Sequence, residues 1–168
     1  SLFMGLKLSG YIICFNAEDF IEACIKGIYD YVDELVIVEG NIEFVRVLGL
    51  DKRDNTVSII NKFIEENDSQ NKIKFYSNID KENRNQLRQY ALDKCTGDWI
   101  FLIDVDEFYE EEDLKQIHKI IDMNPENFTK ITTTHWQFWK WDTYTVGIPQ
   151  ERIFKNIPGM HYNTNPSE

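Results

Sequence analysis

Residues 97–113 read GDWIFLIDVDEFYEEED. An apolar run from Trp99 to Ile103 follows the opening glycine, and carboxylates then gather, with Asp104 and Asp106 one residue apart. A continuous apolar run of this length fits a strand buried on both faces of a parallel sheet. Like charges collected where such a strand ends are costly unless they share a proton or hold a cation. Residues i and i+2 of an extended chain face the same way, so Asp104 and Asp106 are expected to point together into a cleft beyond the strand. Their oxygens suit a hard divalent cation, Mn2+ or Mg2+, which keeps open positions for phosphate oxygens. Glu110–Asp113 read more plainly as the exposed first turn of a helix, where the dipole favours negative charge.

Working outward, strands and helices alternate. LSGYIICF (8–15) is an apolar strand, and the following helix repeats Phe20, Cys24 and Ile28, with Asn16 as its expected cap. DELVIVEG (33–40) holds a second strand, ending at Glu39, followed by the irregular stretch Asn41–Arg53. A helix capped by Asp54 follows, with Val57, Ile60 and Ile64 inward; KIKFY (72–76) is the third strand, and a helix from Asp80 closes at Gly97. A short helix, LKQIHKIID (114–122), follows the acidic stretch, and beyond it KITTTHWQFWKWDTY and QERIFK read as strands of a less regular half. This order predicts an α/β fold, a Rossmann-like, mainly parallel sheet flanked by helices, in a single domain over 1–168. Ligands of such sheets bind beyond the carboxyl ends of the strands. Asn16, Glu39, Ser77, Asn78 and Asp104 are all expected along that edge.

Composition narrows the partners. The chain has 168 residues, 42% hydrophobic and 14% aromatic, and a formal net charge of −11. That charge argues against nucleic acid and anionic membranes, both of which call for basic patches. No apolar stretch approaches the length of a membrane span. SLFMGL is too short for a signal peptide and lacks a basic flank. Cys14, Cys24 and Cys95 are scattered through apolar periodic segments and read as buried free thiols, which fits a reducing, cytoplasmic location.

YIICFNAEDFIEACIKGIYDYVDELVIVEG, then DNT, then RNQLRQYALDKCTGDWIFLIDVDEF resembles the family 2 glycosyltransferases of the GT-A fold, over about Leu8 to Phe108. The resemblance implies a nucleoside-diphosphate sugar donor and a divalent metal. It places Asp104 on the ribose and Asp106 on the metal beside the diphosphate. Glu39 would read the base or ribose, Phe15 and Asn16 would line the base pocket, and Arg84 would face the nucleotide. His161 would be a further metal ligand. RIFK (152–155) resembles an Arg-bearing strand of the lipopolysaccharide-core branch; the His-Glu pair that follows there corresponds to Ser167-Glu168 here. An inverting reaction needs a carboxylate to deprotonate the acceptor hydroxyl; Glu168 is the first candidate and Glu107 the second. Glu39 replaces the family's usual Asp, and Asn41–Arg53 is extra. The chain is short for this fold, so part of the acceptor side is expected to be missing. The acceptor, whether carbohydrate, lipid-linked or protein, is not named by the sequence.

Other candidates carry plainer readings. Trp139 and Trp141 could stack on sugar rings, while Trp136 and Phe138 suit a core face; His135 sits among them. His118 reads as a partly packed helix residue. Two rival functions remain: a catalytically degenerate nucleotide- and metal-binding module, and a DxD phosphohydrolase, which lacks here its later Lys and acidic pair. An EF-hand loop is excluded, because Tyr109 stands where Gly is required.

Overall fold

The computed structural model describes residues 5–122, 130–133, 136–137, 145–146 and 150–165. Strand β1 (Leu8–Cys14) leads through helix α1 (Ile21–Ile28) and a 3-10 turn to β2 (Glu34–Glu39). A short helix, α2 (Glu43–Val47), precedes α3 (Thr56–Asn67), β3 (Ile73–Tyr76), α4 (Arg84–Lys94), β4 (Trp99–Leu102) and α5 (Glu111–Asp122). Then come β5 (Lys130–Thr133), β6 (Trp136–Gln137), β7 (Thr145–Val146) and β8 (Gln150–Lys155). Among the described residues one sheet runs β3-β2-β1-β4-β8-β5, and β6 pairs with β7 apart from it. The β1–β4 group is parallel; β8 runs antiparallel to both β4 and β5. The predicted sheet is therefore present.

Alternation within the strands divides the core. Leu8 and Ile12 of β1, with Trp99 and Phe101 of β4, pack under α1, α3 and α5. Tyr11, Val36, Val38 and Ile100 face Leu87, Ala91 and Leu92 of α4. Strands with apolar residues on both sides are what a sheet covered on both faces requires. All three cysteines are buried and free. No helix among the described residues is long and apolar enough to cross a membrane.

Local expectations differ in several places: the stretch Asn41–Arg53 contains helix α2, and α4 ends at Lys94 with Cys95 after it, short of Gly97. Asn16 does not cap α1: its backbone is left-handed (φ 48°) and its side chain donates to Lys52 O and accepts from Asp54 N–H. Asn tolerates that conformation better than most residues, and it turns the chain out of β1. Helix α4 starts at Arg84, not Asp80, because the Asn83 side chain accepts the Gln86 N–H and fixes the first turn. Finally, the extended chain does not persist to Asp106: β4 ends at Leu102, and a turn closed by Glu107 N–H to Asp104 O follows. Asp at the first position favours such a turn.

Candidate functional site

The strand order reverses between β1 and β4, since β2 and β3 lie to one side of β1 and β4 to the other. A crevice forms at such a point because the connections leave in opposite directions. A cleft of about 570 Å³ opens there, with walls supplied by Phe15, Asn16, Asn41, Arg84, Arg88 and the Asp104–Asp106 turn. Among the sequence candidates it thus gathers Phe15, Asn16, Arg84, Asp104 and Asp106.

Asp104 and Asp106 differ in their surroundings. Arg152 of β8, only 2% exposed, donates from Nη2 to Asp104 Oδ2 at 2.7 Å and to Glu107 Oε1 at 2.6 Å. Burial works against the Asp104 charge, but the Arg152 hydrogen bond and charge hold its carboxyl below the usual range. Glu107 is pushed up to about 7, first by burial and further by the Asp104 charge beside it, with Arg152 opposing. Tyr109 donates to its other oxygen. Glu107 is therefore engaged beneath the turn. Asp106 is exposed at the cleft and makes no hydrogen bond or ion pair among the described residues.

Glu39 sits deeper than the sequence suggested, at 1% exposure. Oε1 accepts from Arg53 Nε at 2.9 Å, and Oε2 accepts from Asn78 N–H at 2.8 Å. Arg53 also reaches Asp80 Oδ1 at 2.6 Å and lies 5.5 Å from the centre of the Phe15 ring. Its neighbours Gly40 and Asn41, not Glu39 itself, stand in the cleft wall.

His161 is exposed, with Nδ1 3.0 Å from Gly159 O in its own turn. Among the described residues no three His, Cys, Asp or Glu side chains converge as a protein-only metal site would. A divalent ion still fits the oxygen donors: Asp106 is uncommitted, Asp104 stands beside it, and Mg2+ or Mn2+ takes its remaining ligands from phosphates and water. Glu168, His135, Phe138, Trp139 and Trp141 lie outside the described residues.

Sequence reading missed Arg88. It lies one turn after Arg84 on α4 and shares its cleft-facing side. Nη1 donates to Asn85 Oδ1 at 2.9 Å, while Nε–H is buried without a hydrogen-bond partner among the described residues. The i, i+4 spacing of the two arginines was the available signal. The structural work of Arg53 and Arg152 had no local signal, because their partners lie on other elements.

Comparison with known proteins fits this geometry. The family model described as Glycosyl transferase family 2 matches residues 9–160. The lipopolysaccharide core biosynthesis glycosyltransferase LpsC of Rhizobium meliloti (strain 1021) is 30% identical over 102 residues, which are 61% of this chain and 32% of that protein. The chain thus spans about a third of that curated relative's length. A solved structure of the mannosyltransferase PcManGT from Pyrobaculum calidifontis, in complex with GDP-Man and Mn2+, is similar with a TM-score of 0.61 at 15% identity, over 79% of this chain and 36% of that one. S. aureus TarS 1-349 gives a TM-score of 0.56 at 18% identity, over 90% and 47%. At these identities the two structures speak for the fold, and the fold is of the GT-A type. With the family model covering nearly the whole sheet and the cleft at its switch point, the chain belongs to glycosyl transferase family 2.

Proposed function

We propose that this chain carries the donor-binding part of a metal-dependent, inverting glycosyltransferase that moves a sugar from a nucleoside diphosphate to an acceptor. The observation that carries this reading is the pairing, across one cleft, of two arginines on α4 with the uncommitted Asp106. Cations alone would suit any anion. Cations facing an acidic turn suit an anion that arrives with a metal.

The base lies toward Phe15 and Asn16, and the diphosphate toward Arg84 and Arg88. The buried Nε–H of Arg88 is a donor awaiting an acceptor, and a phosphate oxygen supplies one in a charge-assisted bond. Asp104, its orientation fixed by Arg152, accepts from a ribose hydroxyl. Asp106, with Asp104 beside it, holds Mn2+ or Mg2+. When bound, that ion would offset the charge growing on the departing nucleoside diphosphate. Arg84 and Arg88 add positive charge for the same leaving group. The proton of the acceptor hydroxyl goes to a carboxylate on the opposite face of the sugar. Glu168 is the proposed base; Glu107 suits that role less, since Arg152 and Tyr109 occupy its oxygens. We place the protein in the cytoplasm on its three free thiols.

Asp106→Asn tests the reading. Removing one of two neighbouring carboxylates relieves repulsion, so the variant should melt at or slightly above wild type in chelator. The rise in Tm that Mn2+ plus a nucleoside diphosphate gives the wild type should vanish, since only a ligand bound to the native state stabilises it. A variant that melts well below wild type in chelator, yet keeps its ligand-induced rise, overturns the assignment.

A further inference from the structure

Asn41, Ile42 and Val45 of the segment 41–53 line the cleft next to the base end, and the segment's means of attachment is unusual. Helix α2 buries none of its residues. Phe44, Val47, Leu48 and Leu50 are 67%, 77%, 53% and 64% exposed. Apolar burial therefore does little to hold this segment, and polar contacts have to do so. Arg46 bonds to Asn41 and to Lys81 O, and Asn16 bonds to Lys52 O and Asp54 N–H. Arg53 makes the contacts of widest reach. Its guanidinium joins Glu39 at the end of β2, Asp80 in the loop after β3, and the face of Phe15 at the end of β1. Asp80 Oδ1 in turn accepts the N–H of Asn41, a wall residue.

Glu39 and Asp80 are also two negative charges at the edge where an anionic ligand would bind. A planar, permanently charged fork can serve both at once, whereas an ammonium cannot reproduce that geometry. We propose that Arg53 is the positioning residue for the nucleotide end of the cleft: it fixes Phe15 and the Asn41 wall, and it neutralises Glu39 and Asp80 so that neither repels the ligand. Glu39 then acts through Arg53 and Asn78 without touching the nucleotide. The inference rests on the cleft being a nucleoside diphosphate site.

Calorimetric titration with UDP, dTDP, GDP, ADP and CDP in Mn2+ tests it on wild type, Arg53→Lys, Arg53→Met and Arg53→Met/Glu39→Gln. For the tightest nucleotide, Arg53→Met should weaken binding by about tenfold to a hundredfold, the scale of losing a hydrogen bond to a charged group that holds the wall in place. Arg53→Lys should fall between wild type and Arg53→Met. The double variant leaves no unpaired buried carboxylate behind, so it covers the case in which Arg53→Met does not fold. It should recover part of the affinity but not all, because the contacts to Asp80 and Phe15 stay lost. Hydrogen exchange of 41–53 should quicken in both Met variants. A folded Arg53→Met or double variant that binds like wild type, whatever its melting temperature, overturns the inference alone. A wild type that binds none of the five nucleotides overturns the cleft reading and this inference with it.

Discussion

At the scale of single residues, Arg152 is the cation that bonds the acidic turn among the described residues. Arg152 comes from β8, antiparallel to β4, with Phe101 paired to its neighbour Ile153. That register brings the guanidinium under the Asp104–Glu107 turn, where it bonds both acids. Asp104 is 39% exposed, so removing Arg152 leaves its charge partly solvated, and Arg152→Met should lower stability by about 1.5–3 kcal/mol, the loss of hydrogen bonds to charged groups. Urea unfolding followed by tryptophan fluorescence measures this. A loss below about 1 kcal/mol, the value of an exposed pair, would mean that the turn is held by something else. The sequence showed Asp104 and Asp106 as a pair, and both do reach the cleft. It could not show that one is tethered and the other free. That distinction depends on a strand some fifty residues later in the chain, and no local pattern encodes it.

At the scale of elements, the strand ends are shaped by close backbone contacts. Gly40 follows β2, its N–H donating to Cys14 O. A Cβ there would lie 2.1 Å from Ile79 O and 2.5 Å from Ile79 C, both backbone atoms. The loop after β3 cannot yield as a flexible side chain would, because Ile79 N–H is bonded to Glu39 O. Gly40→Ala should therefore cost at least the roughly 1–3 kcal/mol of an overpacked interior. It should also weaken nucleotide binding, because Gly40 borders Asn41 in the cleft wall. Thermal melts and nucleotide titration of the same variant check both outcomes; a fully stable variant would show that the loop can move aside. Strand cores were legible because apolar runs of four to seven residues have few other uses in a chain this polar. Helix starts were less so. Asn16 and Asn83 are the same residue type before a helical pattern, yet only Asn83 caps. Asn16 is taken by Lys52 and Asp54, contacts that exist only once the insertion has folded against β1.

At the scale of the molecule, the strand order decides where chemistry can happen; the alternation of strands and helices in the sequence implied a parallel sheet and its carboxyl-end edge, but not the order that puts the crevice between β1 and β4. The functional edge lies at the carboxyl ends; the opposite edge does the tying. There Glu34 accepts from Ser9 Oγ on β1, from the N–H and Oγ1 of Thr96 ahead of β4, and from Lys74 Nζ on β3. One carboxylate thus links four of the chain's neighbouring segments. Burial raises its pKa, but the hydrogen bonds from Thr96, Lys74 and Ser9 outweigh this and lower it below the usual range. A carboxyl whose folded pKa is depressed adds stability above its unfolded value of about 4.3, and the gain is lost as pH falls through the folded value. At pH 7 the wild type should therefore be more stable than Glu34→Gln. As pH drops below about 4.3 the unfolded state takes up the proton first, so the gap between the two stability curves should narrow toward acid and close once pH has fallen through the folded value, where the protonated carboxyl resembles the amide. Lys74, whose pKa this partner raises, stays charged throughout that window and contributes no slope of its own. Urea midpoints of both proteins from pH 3 to pH 8 measure the gap. A gap that is constant across the range would show that Glu34 contributes by packing and neutral hydrogen bonds. One that widens toward acid would mean that its pKa is raised and that burial prevails over the four donors.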